Sequence, residues 1–273
     1  MIVSVIEKLL LAYIRYFPNH LGKWRVSQWL FTRIRDITVE ARTTDGFIMQ
    51  LNTEDFIQRS IFLTGHWDEE VAQVIRNTLR KGDTFIDVGA NVGYFSLLAS
   101  QICKKVICFE PNPACIKQLT INIKLNKISN IDVRKIGLAD NRRITNFNIE
   151  DCRNVGGGSL RNGEGKSFTI QLDTLDNELP KITPRLIKID IEGAELLALK
   201  GGKKMLEKSD APDVICEISE FSLERLGTSK KELFHLMENY GYKYRIISPI
   251  RQSNLAELPY FQYDVLFYKE QFQ

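Results

Sequence analysis

The chain has 273 residues, of which 44% are hydrophobic and 26% are charged, so it can bury the core of a globular protein. Its net charge of +3 is too small to indicate a nucleic-acid partner, and we predict that it has none. Five cysteines form no C-x-x-C pair and no secretory signal precedes them, which predicts a reduced, cytoplasmic protein. The three histidines, His20, His66 and His235, are too scattered to indicate structural zinc.

The N-terminal residues predict an amphipathic helix. In MIVSVIEKLLLAYIRYF, apolar residues recur at helical spacing, and Glu7, Lys8 and Arg15 interrupt them. The stretch is too short and too charged to span a bilayer. Two interpretations stay open. The helix packs on the protein's own core or on a second copy of the chain, or it lies on a membrane surface.

A β-hairpin and a second helix are predicted next. ITVEARTTDGFIMQL alternates on both sides of Asp45–Gly46, which is a strong hairpin signal. HWDEEVAQVIRNTLRKGD then predicts a helix that ends at Gly82. We therefore expect residues 1–66 to form a helical and hairpin extension, and residues 67–273 to form the main domain.

From Thr84 onward, strand patterns alternate with helix patterns. TFIDV, VICFE, IDVRKI, RLIKID and DVICEI predict strands, and the stretches between them include three helices. This alternation predicts an α/β fold with a doubly wound, mainly parallel sheet. The terminal YDVLFYK predicts an antiparallel strand, either at the edge or inserted. Residues 154–165, rich in glycine and asparagine, predict a loop or wide hairpin that either covers a substrate or has no role.

The stretch DVGANVGYFSLLA predicts a glycine-rich turn between a buried strand and a helix. Gly89 and Gly93 allow close approach of a ligand, and the free N–H groups at a helix N-terminus suit an anion or the edge of a nucleoside. Asn91 and Tyr94 stand where the dinucleotide fingerprint G-x-G-x-x-G needs glycines. The turn therefore favours a nucleoside without a pyrophosphate, and it disfavours a nicotinamide-dependent oxidoreductase.

The end of the next strand supplies an acidic residue at the spacing that a ribose requires. VICFEPNP ends its apolar run at Glu110, 23 positions after Asp87. In doubly wound folds a carboxylate at about 20 positions accepts hydrogen bonds from ribose hydroxyls. Glu110 is therefore a candidate for binding the ribose of a cofactor.

The stretch IKIDIEGAE predicts a reacting centre at the edge of the sheet. Lys188 and Asp190 are two positions apart at the carboxyl end of a strand, so they share a face, and ligands of open α/β sheets bind at that edge. Glu192 follows in the turn, and Gly193 is predicted to start the next helix. A structural ion pair between Lys188 and Asp190 is the alternative interpretation.

Six separated motifs together resemble one family. DVGANVGYFSLLAS, FEPNP, LDTL, IKIDIEGAE, LKGG and CEIS are similar, in order and spacing, to the FkbM-type methyltransferases over about residues 67–268. The resemblance implies a Rossmann-like class I fold with a seven-stranded sheet and S-adenosylmethionine as cofactor. It also implies O-methylation of a hydroxyl on a sugar, glycan or natural product.

The resemblance also implies roles for individual residues. Those that match the cofactor-binding motifs are Asp87, Gly89, Ala90, Asn91, Gly93, Glu110 and Asp190. Relatives in the wider superfamily carry an acidic residue directly after the third strand, where this chain has Leu138, and Asp140 two positions later is our candidate for an adenine contact.

Methyl transfer to a hydroxyl needs an oriented oxygen and a group that handles its proton. Asp190 is the candidate proton acceptor, Lys188 the candidate for stabilising the alkoxide, and Glu192 the third candidate catalytic residue. A divalent ion on Asp190, Glu192 and Glu217 stays open, as does His66 as a base, with helix capping as its structural alternative. A cofactor-binding scaffold without catalysis is the competing function.

Overall fold

The computed structural model describes residues 9–10, 12–14, 23–34, 37–149, 158–160, 166–248, 251–253 and 260–270. Residues 9–10 and 12–14 are helical, with Ile14 buried and Leu9 exposed, and the rest of the predicted N-terminal helix lies outside the described residues. So do Cys152 and most of residues 154–165. Within the described part of the chain, no helix combines the length and the apolar character that crossing a bilayer requires.

The helices and strands of the described residues have the following bounds. The helices are α1 (Lys23–Arg33), α2 (Phe56–Thr64), α3 (Glu69–Thr78), α4 (Tyr94–Ser100), α5 (Pro113–Leu125), α6 (Leu175–Glu178), α7 (Glu195–Gly201), α8 (Lys203–Leu206), α9 (Glu220–Arg225) and α10 (Lys230–Asn239). The strands are β1 (Thr38–Arg42), β2 (Ile48–Asn52), β3 (Thr84–Val88), β4 (Lys105–Phe109), β5 (Ile131–Arg134), β6 (Gly137–Leu138), β7 (Arg143–Ile149), β8 (Gly158–Ser159), β9 (Lys166–Asp173), β10 (Leu186–Ile189), β11 (Asp213–Ser219), β12 (Lys243–Ile246), β13 (Arg251–Ser253) and β14 (Tyr260–Tyr268).

The main sheet confirms the predicted doubly wound α/β fold. Its seven-strand path runs β12-β14-β11-β10-β3-β4-β5, and the short β13 pairs with the start of β14. Strands β11, β10, β3, β4 and β5 are parallel, whereas β14 is antiparallel to both of its neighbours. The terminal strand is therefore inserted between β11 and β12, one of the two positions that the sequence left open.

Both faces of the main sheet are covered. Successive side chains of each strand point to opposite faces and are buried in two different cores. Phe85, Leu186 and Ile215 belong to a core shared with the β1–β2 hairpin and helices α1 to α4. Ile86 and Ile187 belong to the opposite core, which α6, α7, α8 and α10 cover. Burial on both faces explains why these strands read as continuous apolar runs.

The hairpin prediction is confirmed, since β1 and β2 pair antiparallel from Thr38↔Asn52 to Arg42↔Ile48. Two helix limits were wrong: α3 ends at Thr78 and not at Gly82, and α7 begins at Glu195 and not at Gly193. A second, four-stranded sheet has the order β6-β9-β7-β8. Its β7 and β9 form the wide hairpin that flanks residues 154–165.

Candidate active site

The glycine turn after β3 lies against the end of β10. Gly89 has φ +83°, and a Cβ atom there would lie 1.9 Å from the backbone oxygen of Asp190. Gly93 (φ +95°) caps α4, and Asn91 also has a positive φ of 51°. The Gly89 and Ala90 N–H groups donate to the Phe109 carbonyl at 3.0 and 3.2 Å. Glycine is needed at position 89 because two strand ends meet there without room for a side chain.

The turn is held by Glu110, at the end of β4. One carboxylate oxygen accepts the N–H of Asn91 at 2.8 Å, and the other accepts the N–H of Asn112 at 2.9 Å. Glu110 is only 6% exposed. Burial raises its pKa to about 7, although the two backbone hydrogen bonds oppose the rise. Each oxygen keeps a lone pair for a further donor.

Glu110 and the turn line one cavity, which we call the inner cavity. One of its walls is the turn from Val88 to Val92, and another is apolar and comes from β4, β6, β7 and β9. The apolar wall consists of Phe109, Pro111, Leu138, Phe147, Ile170 and Leu172. A buried acceptor beside an apolar slot fits the ribose and the base of a nucleoside, so these residues fit the cofactor that the sequence predicts.

Lys188 and Asp190 both line this cavity and form an ion pair. Their Nζ and Oδ2 atoms are 3.0 Å apart, with the lysine side chain 4% exposed and the aspartate 33% exposed. The ammonium also lies 5.0 Å from the centre of the Phe95 ring. Burial favours the neutral amine, but Asp190 and Asp87 outweigh burial and raise the pKa of Lys188. Lys188 is therefore a cation, which excludes it as a general base at neutral pH.

A buried carboxylate that the sequence analysis missed shapes the following turn. Glu195 Oε1 accepts the N–H groups of Ile191 at 2.9 Å and Gly193 at 3.1 Å. Glu192 sits in this turn with φ +54°. Burial and the neighbouring Asp190 raise the pKa of Glu192 to about 8. Glu195 could have been predicted from its position at the start of a helix, because a carboxylate there can accept N–H groups of the preceding turn.

Three other candidates lie away from the lining of the inner cavity. Asp87 is buried, accepts the Ser96 hydroxyl at 2.6 Å on Oδ2 and pairs in register with Lys188, and burial raises its pKa. Gly93, the cap of α4, is not itself a lining residue but lies between two of them, Val92 and Tyr94. Asp140 is ion-paired with Arg143 at 2.8 Å, and the structure does not bring it to the other candidates.

Neither the metal nor the His66 hypothesis gains support. Among the described residues, no group of three or more His, Cys, Asp or Glu side chains is arranged to hold a metal ion. The cap of α3 is Asp68, whose side chain accepts the Val71 N–H, so the capping alternative for His66 was wrong. The four cysteines that the structure describes, Cys103, Cys108, Cys115 and Cys216, are buried thiols.

A second cavity, which we call the outer cavity, adjoins the first. Six residues line both: Ile57, Trp67, Phe95, Lys188, Asp190 and Glu192. The outer cavity continues along β11, α9 and β14, where its lining includes Glu217, Phe221, Arg225, Gln262, Tyr263 and Asp264. Asp264 was not predicted as a site residue, although a carboxylate within an apolar strand pattern indicates a functional position. The Lys188–Asp190 pair stands where two cavities meet, as a reacting centre between two substrates requires.

Comparison with known proteins supplies the family. A family model described as the methyltransferase FkbM domain matches residues 87–244. The hexuronic acid methyltransferase AglP of Haloferax volcanii is 29% identical over 145 residues, covering 51% of this chain and 58% of the relative. The methyltransferase sdnD of Sordaria araneosa is 27% identical over 199 residues, covering 60% of this chain and 74% of the relative.

A crystal structure of the methyltransferase FkbM from Methylobacillus flagellatus has a TM-score of 0.47 and 17% identity, covering 77% of this chain. This chain spans 52% of that protein and 58% of the Haloferax relative. The matched segment, residues 87–244, contains the glycine turn, Glu110 and the Lys188–Asp190 pair, and it makes up more than half of the chain. The chain belongs to the FkbM methyltransferase family.

Proposed function

We propose that the protein is an S-adenosylmethionine-dependent O-methyltransferase that acts on a hydroxyl of a sugar, glycan or natural product. One observation carries the proposal. The inner cavity, with its buried Glu110, meets the outer cavity at Lys188, Asp190 and Glu192. Methyl transfer needs such a pair of adjoining sites, because donor and acceptor must be bound together.

The cofactor would lie in the inner cavity. Glu110 would accept the ribose hydroxyls, and the apolar wall around Leu138, Phe147 and Ile170 would cover the adenine. The turn from Gly89 to Asn91 and the nearby Asp190 would face the methionine part. When bound, S-adenosylmethionine supplies an electrophilic methyl group on a sulfonium, so little covalent chemistry is left for the protein.

The chain's own residues would orient the acceptor and take its proton. Asp190 projects into both cavities and is partly exposed, so it would accept the proton of a hydroxyl group. Lys188, held charged and desolvated, would stabilise the negative charge that develops on the oxygen. Glu192 would add a second carboxyl at the junction, and, with its pKa raised to about 8, it is the alternative proton acceptor only in its ionised form above that pH.

A sugar acceptor is supported by the Haloferax volcanii relative, whose name gives a hexuronic acid as its substrate. The division into an extension, residues 1–66, and a catalytic domain, residues 67–273, belongs to the same proposal. Residues 37–64 pack in the same core as β3 and β10, so this part of the extension would support the sheet, and its Phe56, Ile57 and Ile61 would help to line the two cavities.

Binding and transfer are tested separately. Calorimetric titration of the purified protein should show binding of S-adenosylmethionine and S-adenosylhomocysteine but not of NAD. A panel of hydroxylated acceptors should then yield S-adenosylhomocysteine only when an acceptor is present. NAD binding without a response to S-adenosylmethionine would contradict the proposal in favour of an oxidoreductase. Cofactor binding without transfer to any member of a broad panel would favour a scaffold.

A further inference from the structure

The lining of the outer cavity has more carboxyl groups than basic groups. Five carboxylates and two cations line it: Asp68, Asp190, Glu192, Glu217 and Asp264 against Lys188 and Arg225. Lys188 is bound to Asp190 at 3.0 Å. The guanidinium of Arg225 lies 4.9 Å from the centre of the Phe221 ring, and its charge acts on Glu192. Lys188 and Arg225 are thus outnumbered by the carboxyl groups of the lining, so the cavity can accept a further cation.

One of these carboxylates has a buried oxygen without a partner. Glu217 Oε1 accepts the side-chain amide of Gln262, whereas Oε2 is buried and has no hydrogen-bond partner within the described residues. Buried polar atoms are normally paired, so an orphaned oxygen at a cavity wall indicates a donor that a ligand supplies.

The surrounding groups hold protons when no ligand cation is present. Burial and the neighbouring Asp190 raise the pKa of Glu217 well above its ordinary value. Burial and nearby carboxylates also raise the pKa of Asp264 to about 7. A bound ammonium group would replace these protons and ionise the carboxyls, because an opposite charge favours the charged form.

Aromatic rings form the remaining walls of the outer cavity. Phe56, Trp67, Phe95, Phe221, Phe261 and Tyr263 all line it. Phe56 and Phe261 are 50% and 38% exposed, so part of the apolar surface of each residue is open to solvent. Flat apolar faces suit the C–H face of a saturated ring, while the carboxylates suit hydroxyl or ammonium donors on the ring edge.

We propose that the outer cavity binds a hydroxylated ring that carries an ammonium group, as an amino sugar does, and excludes a ring that carries a carboxylate. The inference rests on the proposed function, since it assigns the acceptor class of the same site. Under this assignment the acceptor differs from that of the Haloferax volcanii relative, a hexuronic acid methyltransferase.

Three matched probes test the proposal: the methyl glycosides of glucosamine, glucose and glucuronic acid. Their affinities are measured by calorimetry with the protein saturated with S-adenosylhomocysteine, and their kcat/KM values are measured with S-adenosylmethionine. The glucosamine glycoside should bind at least about tenfold more tightly than the glucuronide, the range of one hydrogen bond to a charged group, with the neutral glycoside between them.

Substitutions test whether the carboxyl groups of the outer cavity cause the preference for the glucosamine glycoside over the glucuronide. Glu217→Gln should reduce the preference for the amine several-fold, and Asp264→Asn should do the same if the first variant does not fold. Glu207→Gln should leave the preference unchanged, because Glu207 is an exposed carboxylate directly after α8, is ion-paired with Lys203 and does not line the outer cavity.

The outcomes separate this inference from the proposed function. Binding of the glucuronide as tightly as the glucosamine glycoside, or binding of none of the three probes, overturns the inference. Methyl transfer with the glucuronide as the best substrate overturns the inference and upholds the proposed function. Preference for the amine in binding, without transfer to any probe, supports the inference and counts against the proposed function.

Discussion

Replacing Glu110 by glutamine tests the assignment of the inner cavity. The carboxylate accepts backbone N–H groups from Asn91 and Asn112 at 2.8 and 2.9 Å, so each oxygen has one lone pair left for a ribose hydroxyl. Glutamine keeps one oxygen and places an NH2 group where the other was. One hydrogen bond to a charged acceptor contributes about 1.5–3 kcal/mol, so cofactor affinity should fall by roughly 10- to 150-fold.

The assay is calorimetric titration with S-adenosylhomocysteine, on a variant shown by circular dichroism and thermal unfolding to be folded. Folding must be checked because the new NH2 group faces a backbone donor, at a cost of about 1–3 kcal/mol of stability. Glu207→Gln, which removes an exposed carboxylate elsewhere, is the matched control and should bind as the unchanged protein does.

The pH dependence sharpens this prediction. Burial raises the pKa of Glu110 to about 7, and only the ionised form accepts on both oxygens. Affinity for S-adenosylhomocysteine should therefore fall as the pH drops through about 7, and Glu110→Gln should lose this dependence. If a folded Glu110→Gln variant binds the cofactor with unchanged affinity, or keeps the same pH dependence, Glu110 does not bind the ribose.

Three further results are expected. Asp190→Asn and Lys188→Met should lower the methylation rate by about 10²–10⁴-fold in steady-state assays, with cofactor affinity changing far less for Lys188→Met; normal rates in both would make the pair structural. Gly89→Ala should abolish cofactor binding and lower the melting temperature, because the new Cβ atom would lie 1.9 Å from the backbone oxygen of Asp190. Gly82→Ala is the control and should be neutral, because a Cβ atom there has nothing within 4 Å. Equal effects of the two substitutions would show that the close contact at Gly89 is not the cause. Burial raises the folded-state pKa of Glu217 and its buried neighbours, so the free energy of unfolding of the ligand-free protein should fall as the pH rises from about 4.5 to about 8. Urea titrations at a series of pH values should show this decrease, and Glu217→Gln should show a smaller one. A free energy of unfolding that rises over this pH range would contradict the prediction.

The parallel strands of the main sheet were predictable because each strand is marked by its own local run of apolar residues. A strand buried on both faces reads as a continuous apolar run, and TFIDV, VICFE and LIKID stand out for that reason. The turn at Gly89–Gly93 and the acidic residue Glu110 were recognisable from spacing, since both lie at strand ends in a fold whose ligands bind at that edge. The position of β14 was left open because strand order depends on distant pairing, here from Val214↔Phe267 to Ser219↔Gln262.

The outer cavity was not predictable from the sequence. Its lining comes from segments far apart in the chain, including Trp67, Glu217, Arg225 and Asp264, and no spacing rule connects them. The helix limits failed for a local reason. Gly193 reads as a helix start, but its φ of +103° places it in the preceding turn, which Glu195 holds from within the helix. Asp140 had the expected residue type, but its side chain pairs with Arg143.

The assigned chemistry is tested by following a labelled methyl group from S-adenosylmethionine to a hydroxylated acceptor, with mass spectrometry to detect the product and NMR to locate the label. We expect the unchanged protein to place the label on a hydroxyl oxygen, and Asp190→Asn to do so far more slowly at saturating cofactor. A label on carbon or nitrogen would refute O-methylation, and equal transfer rates for the Asp190→Asn and unchanged proteins would refute the catalytic role of Asp190.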